Sequence, residues 1–238
     1  YVTATLGILS GAWTEQKPGT AYLASQMVTK GSAKHSAAEL AEELEFNAIS
    51  LSGGASIDVA SVFAQSVTEK FDIALNLMAE VVRTSTFPEK ELEILRQQEL
   101  LGLMIQAKTP EYAADRELRK RVFGSHPYAR TAIGEPANVQ ALQVDDLKAW
   151  WNTFVRPDTA VLYIAGDIEP KAAKSMAEKN FGDWKVDVEK PVLMVPTFPD
   201  AGPTQIYLVD RPGSVQSQIR VGSRGITRKD PDYFPTVV

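Results

Sequence analysis

Gly19-Thr20-Ala21-Tyr22-Leu23-Ala24-Ser25-Gln26-Met27 is the segment of this 238-residue chain from which the rest is read. Pro18 suits a first helical position, where its missing N–H is no loss, and predicts a helix running to about Lys30. Residues four apart share a helix face, so Tyr22 and Gln26 project together, with Ser25 one position before Gln26. Two imidazoles at that spacing can hold one metal ion, while an acid beside them acts on its bound water. Here the same face offers a phenol with an unperturbed pKa of about 10. It adds a neutral amide, which suits zinc badly, and a hydroxyl that is no general base without a partner.

Around this helix the chain alternates strand and helix patterns. Tyr1–Ser10 reads as a strand. Ser36-Ala37-Ala38-Glu39 is a capping box that starts a helix, with Leu40, Ala41, Leu44 and Ala48 as its buried stripe. Ile49–Gly53 and Ser56–Ser66 read as two strands joined around Gly53-Gly54, with Ile57, Val59 and Phe63 on one face. Thr68 is the expected cap of a helix whose Phe71, Leu75, Met78 and Val82 form a core stripe. Phe87-Pro88-Glu89 opens another helix through Leu92, Leu95 and Leu103. Gly102 inside it costs about 1 kcal/mol relative to alanine, which points to close helix packing there. Thr109-Pro110 starts a helix ending near Phe123-Gly124, and His126–Pro136 reads as loop. Val144-Asp145-Asp146-Leu147 begins a helix whose Trp150, Trp151 and Phe154 read as core. Thr159–Ala165 is an apolar strand ending at Gly166-Asp167, and Glu169-Pro170 opens a helix through about Phe181.

Hydrophobic residues make up 44% of the chain and charged ones 23%, an ordinary globular balance. A core of this size needs no disulfide or metal staple, so the absence of cysteine assigns no redox compartment. The net charge of −5 argues against nucleic acid as the main partner. No apolar run approaches the roughly 18–20 residues that cross a bilayer. The sequence opens at Tyr1 inside a strand pattern, so targeting is not readable from it. Two histidines, His35 and His126, are too far apart for ligand spacing. His126 reads as a loop hydrogen-bonder and His35 as an exposed neighbour of the helix cap.

The pattern changes after Gly182. Pro191, Pro196, Pro199 and Pro203 mark a linker. Beyond it Gln205–Val209 and Gln216–Gly222 are expected strands, with Arg211-Pro212-Gly213-Ser214 turning between them and a helix beginning near Pro231. Leu6-Gly7, Gly11 and Pro18 are faintly repeated as Val221-Gly222, Gly225 and Pro231, as if a second copy of the first domain were starting. The expected organisation is a first domain over 1–185, a linker over 186–203, and the start of a second, similar domain over 204–238. The fold class is α+β, a largely antiparallel sheet covered by helices.

The opening segment resembles the Gly-x-Ala-His-x-x-Glu-His-Met helix of the insulinase/pitrilysin-type zinc metallopeptidases. Lys30-Gly31-Ser32, Asp72–Val81, Phe87–Glu93, Ala165-Gly166-Asp167 and Arg211–Ser217 resemble further segments of that family in the same order. On this alignment Tyr22 and Gln26 stand where the family has its zinc histidines, and Ser25 where it has its catalytic glutamate. Counting about 76 residues on from Gln26 puts Gly102 at the third zinc ligand. The nearest acid, Glu99, is about one turn away and is expected to face elsewhere.

The resemblance implies a clamshell of repeated α+β domains whose halves enclose an extended peptide. Members split over two chains often pair a zinc-bearing subunit with one lacking the motif. By that resemblance this chain is a non-catalytic subunit with no cofactor of its own, zinc being expected only in a homologous partner, and an extended peptide as the shared substrate. Peptide can bind such a fold by adding a strand to a sheet edge, and Ser50, Leu51, Ser52 and Gly53 are the candidate edge. The rival reading is a scaffold or peptide-binding protein of the same fold with no proteolytic partner. A third, an enzyme built on Ser25, lacks any histidine at helical spacing to activate the hydroxyl.

Overall fold

The structure is a computed structural model that describes residues 1–187, 189–194, 196–199 and 202–237. Four antiparallel strands lie in the order β2-β3-β1-β4: β1 (Val2–Ile8), β2 (Ser50–Ala55), β3 (Ala60–Ser66) and β4 (Ala160–Gly166). β1 is central, with Thr5 opposite Phe63 of β3 and Tyr163 of β4. Alternate side chains point to opposite faces, and one face is core: Val2, Ala4, Leu6 and Ile8 from β1, with Ala60, Val62 and Ala64 from β3, are buried. Alanine at Ala4, Ala60 and Ala64 lets helices lie close to the sheet. The other face carries Thr3, Thr5, Phe63 and Tyr163, the last of them exposed.

Nine α-helices occur among the described residues. They are α1 (Thr20–Met27), α2 (Ala37–Phe46), α3 (Phe71–Thr84), α4 (Glu89–Gln106), α5 (Pro110–Phe123), α6 (Pro136–Ala141), α7 (Val144–Phe154), α8 (Pro170–Phe181) and the short α9 (Tyr233–Val237). On the core face, α1 packs on β2, β3 and α7, and α3 packs on β3 and α8. The predicted α3 stripe of Phe71, Leu75, Met78 and Val82 is fully buried; burying side chains of this size stabilises by about 1.5–3 kcal/mol each for the larger ones. Trp150 and Trp151 are core as expected. The Trp150 indole donates to Thr14 Oγ1 at 3.0 Å and that of Trp151 to the Val82 carbonyl at 3.0 Å, which satisfies the one polar atom each carries inside.

Several expectations change. Ser36 does form the capping box, but of its stripe only Leu40 is buried, Leu44 is half-buried, and Ala41 and Ala48 are exposed. The buried face of β3 is the opposite of the one expected. Ser56 to Val59 is a turn closed by the Ser56 N–H on the Val59 carbonyl, so alternation counted through Ile57 and Val59 loses phase before the strand starts at Ala60. Thr68 does not cap α3 with its side chain; it lies in a single 3-10 turn and its hydroxyl donates to the Asp167 carbonyl at 3.2 Å. The expected loop from His126 holds a 3-10 turn at Pro127–Ala129, and α6 follows at once from Pro136.

The chain forms two compact units. One comprises 1–103 and 131–194 and contains the sheet; the other comprises 104–130 and 195–238. In the second, the expected strands Gln205–Val209 and Gln216–Gly222 are not paired in any ladder. The segment is instead tied sideways to α5 and the residues before it. Arg211 donates to the carbonyls of Lys108 and Thr109, Gln218 to Glu111, Arg220 to Asp115, and the Arg121 guanidinium lies 4.1 Å over the Tyr207 ring. Side-chain contacts to a helix give an extended backbone no ladder partner, so an alternating sequence pattern does not become sheet. Of the expected linker, Val188, Val195, Asp200 and Ala201 lie outside the described residues.

Candidate functional site

The first turn of α1 is set by residues before it. Gly19 has φ +94°, and a Cβ there would sit 2.5 Å from the Ile133 carbonyl oxygen, so glycine is required. The cap comes from Glu15, whose carboxylate accepts the N–H groups of Gly19 at 2.9 Å and Ala21 at 2.8 Å. An anion at this position meets both the unpaired amides and the positive end of the helix dipole. Lys17 then ties the same lead-in segment to α7 through Asp146 at 2.6 Å. The helix proper begins at Thr20, two residues after Pro18.

The quoted face of α1 meets α4. The Tyr22 hydroxyl donates to Glu99 Oε1 at 3.3 Å, long for an O–H···O bond and correspondingly weak. Burial raises the phenol above its ordinary value of 10.0, and the Glu99 charge raises it further, while the Gln26 amide pulls it the other way. The phenol is therefore a neutral donor at physiological pH. Glu99 thus faces Tyr22, against expectation. Gly102, one turn later, borders open space: a Cβ there would meet no atom within 4 Å, so the close packing expected at this glycine is absent.

Ser25 does not join the cluster. It is fully buried, and its hydroxyl donates to the Ala21 carbonyl at 2.8 Å, one turn back on its own helix. Its backbone oxygen faces β2, where a Cβ on Gly53 would lie 2.1 Å away. Gly53 therefore allows the edge strand to press against α1. Of the candidate edge residues, Ser50 and Ser52 are exposed, while Leu51 and Gly53 are half-buried on the core side. β2 pairs with β3 alone among the described strands, so its other side is an open edge.

α4 is held in place by Arg96, a buried guanidinium whose donors reach the carbonyls of Val139, Gln140 and Leu142 at the end of α6. Cationic donors on the last carbonyls of a helix satisfy acceptors that have no partner within it. Arg96 fixes the rotation of α4 and so brings Glu99, three residues on, to Tyr22. The family-implied zinc finds no matching donor set here. The groups brought together are a neutral phenol, an amide and one carboxylate, with no imidazole, and Gly102 supplies no side chain. Among the described residues no group of three or more His, Cys, Asp or Glu is placed to hold a metal ion.

Sequence reasoning missed a second polar cluster. Glu80, in the buried face of α3, accepts from the Ser32 hydroxyl, lies 2.7 Å from His35 Nδ1 and 3.9 Å from Lys34 Nζ. His35 is therefore half-buried and partnered, not exposed as expected. The signal was an acid inside an apolar helical stripe, which needs a partner to be buried. His126 behaves as expected: its Nδ1 accepts the Tyr128 N–H at 3.1 Å, and its ring stacks 4.1 Å from Phe198.

Comparison with known proteins bears on this geometry. Residues 1–135 match the model of insulinase (peptidase family M16), and residues 141–238 match that of the peptidase M16 inactive domain. The chain is 25% identical over 248 aligned positions to the mitochondrial-processing peptidase subunit beta of Lentinula edodes, covering 99% of this chain and 52% of that protein. It is 26% identical to the non-peptidase homolog YmxG of Helicobacter pylori, covering 63% of this chain and 35% of that one. The crystal structure of a peptidase M16 inactive domain from Pseudomonas fluorescens superposes with a TM-score of 0.75 at 26% identity, over 83% of this chain and 48% of the other. The chain spans about half the length, or less, of these relatives.

Proposed function

This chain belongs to the insulinase family, peptidase family M16, and from that premise we propose that it is the non-catalytic subunit of a heteromeric zinc peptidase, lining a peptide-binding cavity beside a zinc-bearing homologue. The observation that carries the proposal is the pairing of Tyr22 with Glu99 next to Gln26, at the positions where the resemblance puts two zinc histidines. A hydroxyl donating weakly to a carboxylate, a neutral amide and a glycine make a poor zinc site. The match of 141–238 to a domain described as inactive, and the likeness to a non-peptidase homolog, support the same reading.

In this role the chain contributes surface. β2 offers its unpaired edge, Ser50 to Gly53, to an extended peptide, which would add to the sheet through backbone hydrogen bonds and need no particular side chain. The burial of Ser25 and the bond its hydroxyl donates to the Ala21 carbonyl argue against a nucleophile there.

The test measures bound zinc and peptide hydrolysis for the full-length chain, for a zinc-bearing homologue from the same organism, and for their mixture. The expected result is no zinc in this chain and hydrolysis that rises well above the homologue's own in the mixture. Stoichiometric zinc lost in a Tyr22→Phe/Gln26→Ala variant would overturn the proposal. A mixture no more active than the homologue alone would favour a scaffold or peptide-binding protein of the same fold.

A further inference from the structure

The Tyr22 proton is already committed, and that decides what the face between α1 and α4 can still hold. The hydroxyl donates to Glu99 Oε1. The Gln26 amide favours the anionic form of the phenol, which is the action of an N–H donor. With those donors in use, the groups left to a ligand are acceptors: Glu99 Oε2, the Gln26 carbonyl and a lone pair on the Tyr22 oxygen. The carboxylate also lacks a counter-charge. Tyr22 is its one polar partner among the described residues. α1 carries no charged side chain, and Arg96, the nearest cation along α4, is spent on the carbonyls at the end of α6. Beside Glu99 there is room, since Gly102 has no side chain and a Cβ there would meet nothing within 4 Å.

An anionic site whose open groups are all acceptors asks for a cation made of donors. An ammonium group has three donors, no acceptor and a compact charge, so it can divide its N–H groups among separate residues. A guanidinium fits less well. Its planar fork seeks both oxygens of one carboxylate, and Oε1 of Glu99 is already taken by Tyr22. Zinc fits worst, with no imidazole or thiolate to bind it.

We propose that Tyr22, Gln26 and Glu99 form a subsite for an ammonium group carried by an extended peptide, on a lysine side chain or at a free amino terminus. The subsite rests on the reading of β2 as a peptide-binding edge. A strand added to β2 would put alternate side chains on the helix-bearing face of the sheet. α1 packs on that face, and at Gly53 the edge strand presses against Ser25, next to Gln26 in α1. A lysine ammonium on its flexible stem can cross from such a strand to the helix. Tyr22 and Glu99 are half-buried and not enclosed, so water competes for the charge and the gain in affinity is about tenfold.

Fluorescence anisotropy of the full-length chain with labelled peptides of alternating threonine and valine tests this. One peptide is acetylated at its amino terminus and carries a central lysine. A second has norleucine in place of that lysine, a third has arginine, and a fourth is the norleucine peptide with its amino terminus free. The lysine peptide or the free-amine peptide should bind about tenfold tighter than the acetylated norleucine peptide, and whichever gains identifies the source of the ammonium. The arginine peptide should gain less. Glu99→Gln keeps the shape of the side chain and removes its charge, so it should bring all four peptides to the norleucine affinity with the circular dichroism of the wild type. The comparison of peptides on the wild type needs no variant. Equal binding of the lysine, free-amine and norleucine peptides overturns the subsite and leaves the peptide-binding edge standing. An ammonium preference that survives Glu99→Gln overturns it too, as does an arginine peptide that binds more tightly than both ammonium peptides. A chain that binds none of the four at up to about 1 mM overturns the peptide-binding reading itself, and the subsite with it.

Discussion

Replacing Gly53 by alanine should separate the edge strand from α1. The added Cβ would lie 2.1 Å from the Ser25 carbonyl oxygen and 2.6 Å from Val28 Cγ1. Backbone oxygen cannot rotate away as a side-chain tip can, so α1 or β2 must move by about 1 Å, given carbon–oxygen contacts of roughly 3 Å and more. Overpacking of this kind costs about 1–3 kcal/mol, and a contact with backbone belongs at the upper end. Alanine recovers about 0.5–1 kcal/mol through its better backbone entropy in a strand. The net loss is then about 2 kcal/mol. For a chain of this size that lowers the melting temperature by about 4–8 °C. Gly54→Ala is the internal control, because its Cβ would meet nothing within 4 Å; it should leave stability unchanged or raise it by up to about 1 kcal/mol. Urea unfolding followed by circular dichroism, with calorimetry alongside, measures both. Equal stability of the two variants would refute the close approach of β2 to α1, and with it the account of why the edge strand is glycine-rich.

Three further outcomes follow from the site. The folded state holds the Tyr22 proton more tightly than the unfolded chain does, so the stability linked to it is complete below pH 10.0 and is lost as pH rises through the higher folded value; an alkaline titration followed by phenolate absorbance should lose a component titrating above pH 10.0 in Tyr22→Phe. At the Asp146 carboxyl burial acts upward, but the Lys17 ammonium and the Gln143 N–H outweigh it and hold it below 3.8. That contribution is present above 3.8 and disappears as pH falls through the lower folded value, so Lys17→Met should move the acid-unfolding midpoint to higher pH. Arg96→Met should cost about 3 kcal/mol in chemical denaturation, because it strands the buried carbonyls of Val139 and Leu142 and the partly buried one of Gln140, which now share one guanidinium.

Much of this arrangement is legible from local periodicity, and the misses have physical causes. α3 was readable because Phe71, Leu75, Met78 and Val82 repeat at the helical period with no interruption. β3 was read on the wrong face because the Ser56–Val59 turn resets the alternation. Glu99 escaped because counting residues along α4 fixes a position on the helix, whereas contact depends on side-chain reach. A tyrosine hydroxyl extends well beyond its own Cβ and meets an acid that lies one turn short of Gly102. The cap of α1 was invisible for a related reason: Glu15 precedes Pro18 in irregular chain, and capping signals are sought at the helix boundary itself. The segment from Gln205 to Gly222 shows the converse error, since alternation states what a strand would bury and not whether a partner strand is present.

These contacts also explain how α1 and α4 stay together on the proposed reading. Structural zinc can contribute on the order of 10 kcal/mol to a fold that depends on it. The Tyr22–Glu99 bond, at 3.3 Å and half in solvent, is no substitute for that. The work must fall on what the helices already bury: Leu23 and Met27 of α1, Leu92, Leu95 and Leu103 of α4, and the Arg96 clamp on α6. Each of these is independent of any cation. A domain assembled around such a core keeps its shape without a metal, because Tyr22 and Glu99 lie half-buried at the margin of the core and not within it. On the proposed reading this face serves as cavity wall, where a phenol, an amide and a carboxylate would offer an extended peptide hydrogen-bonding groups.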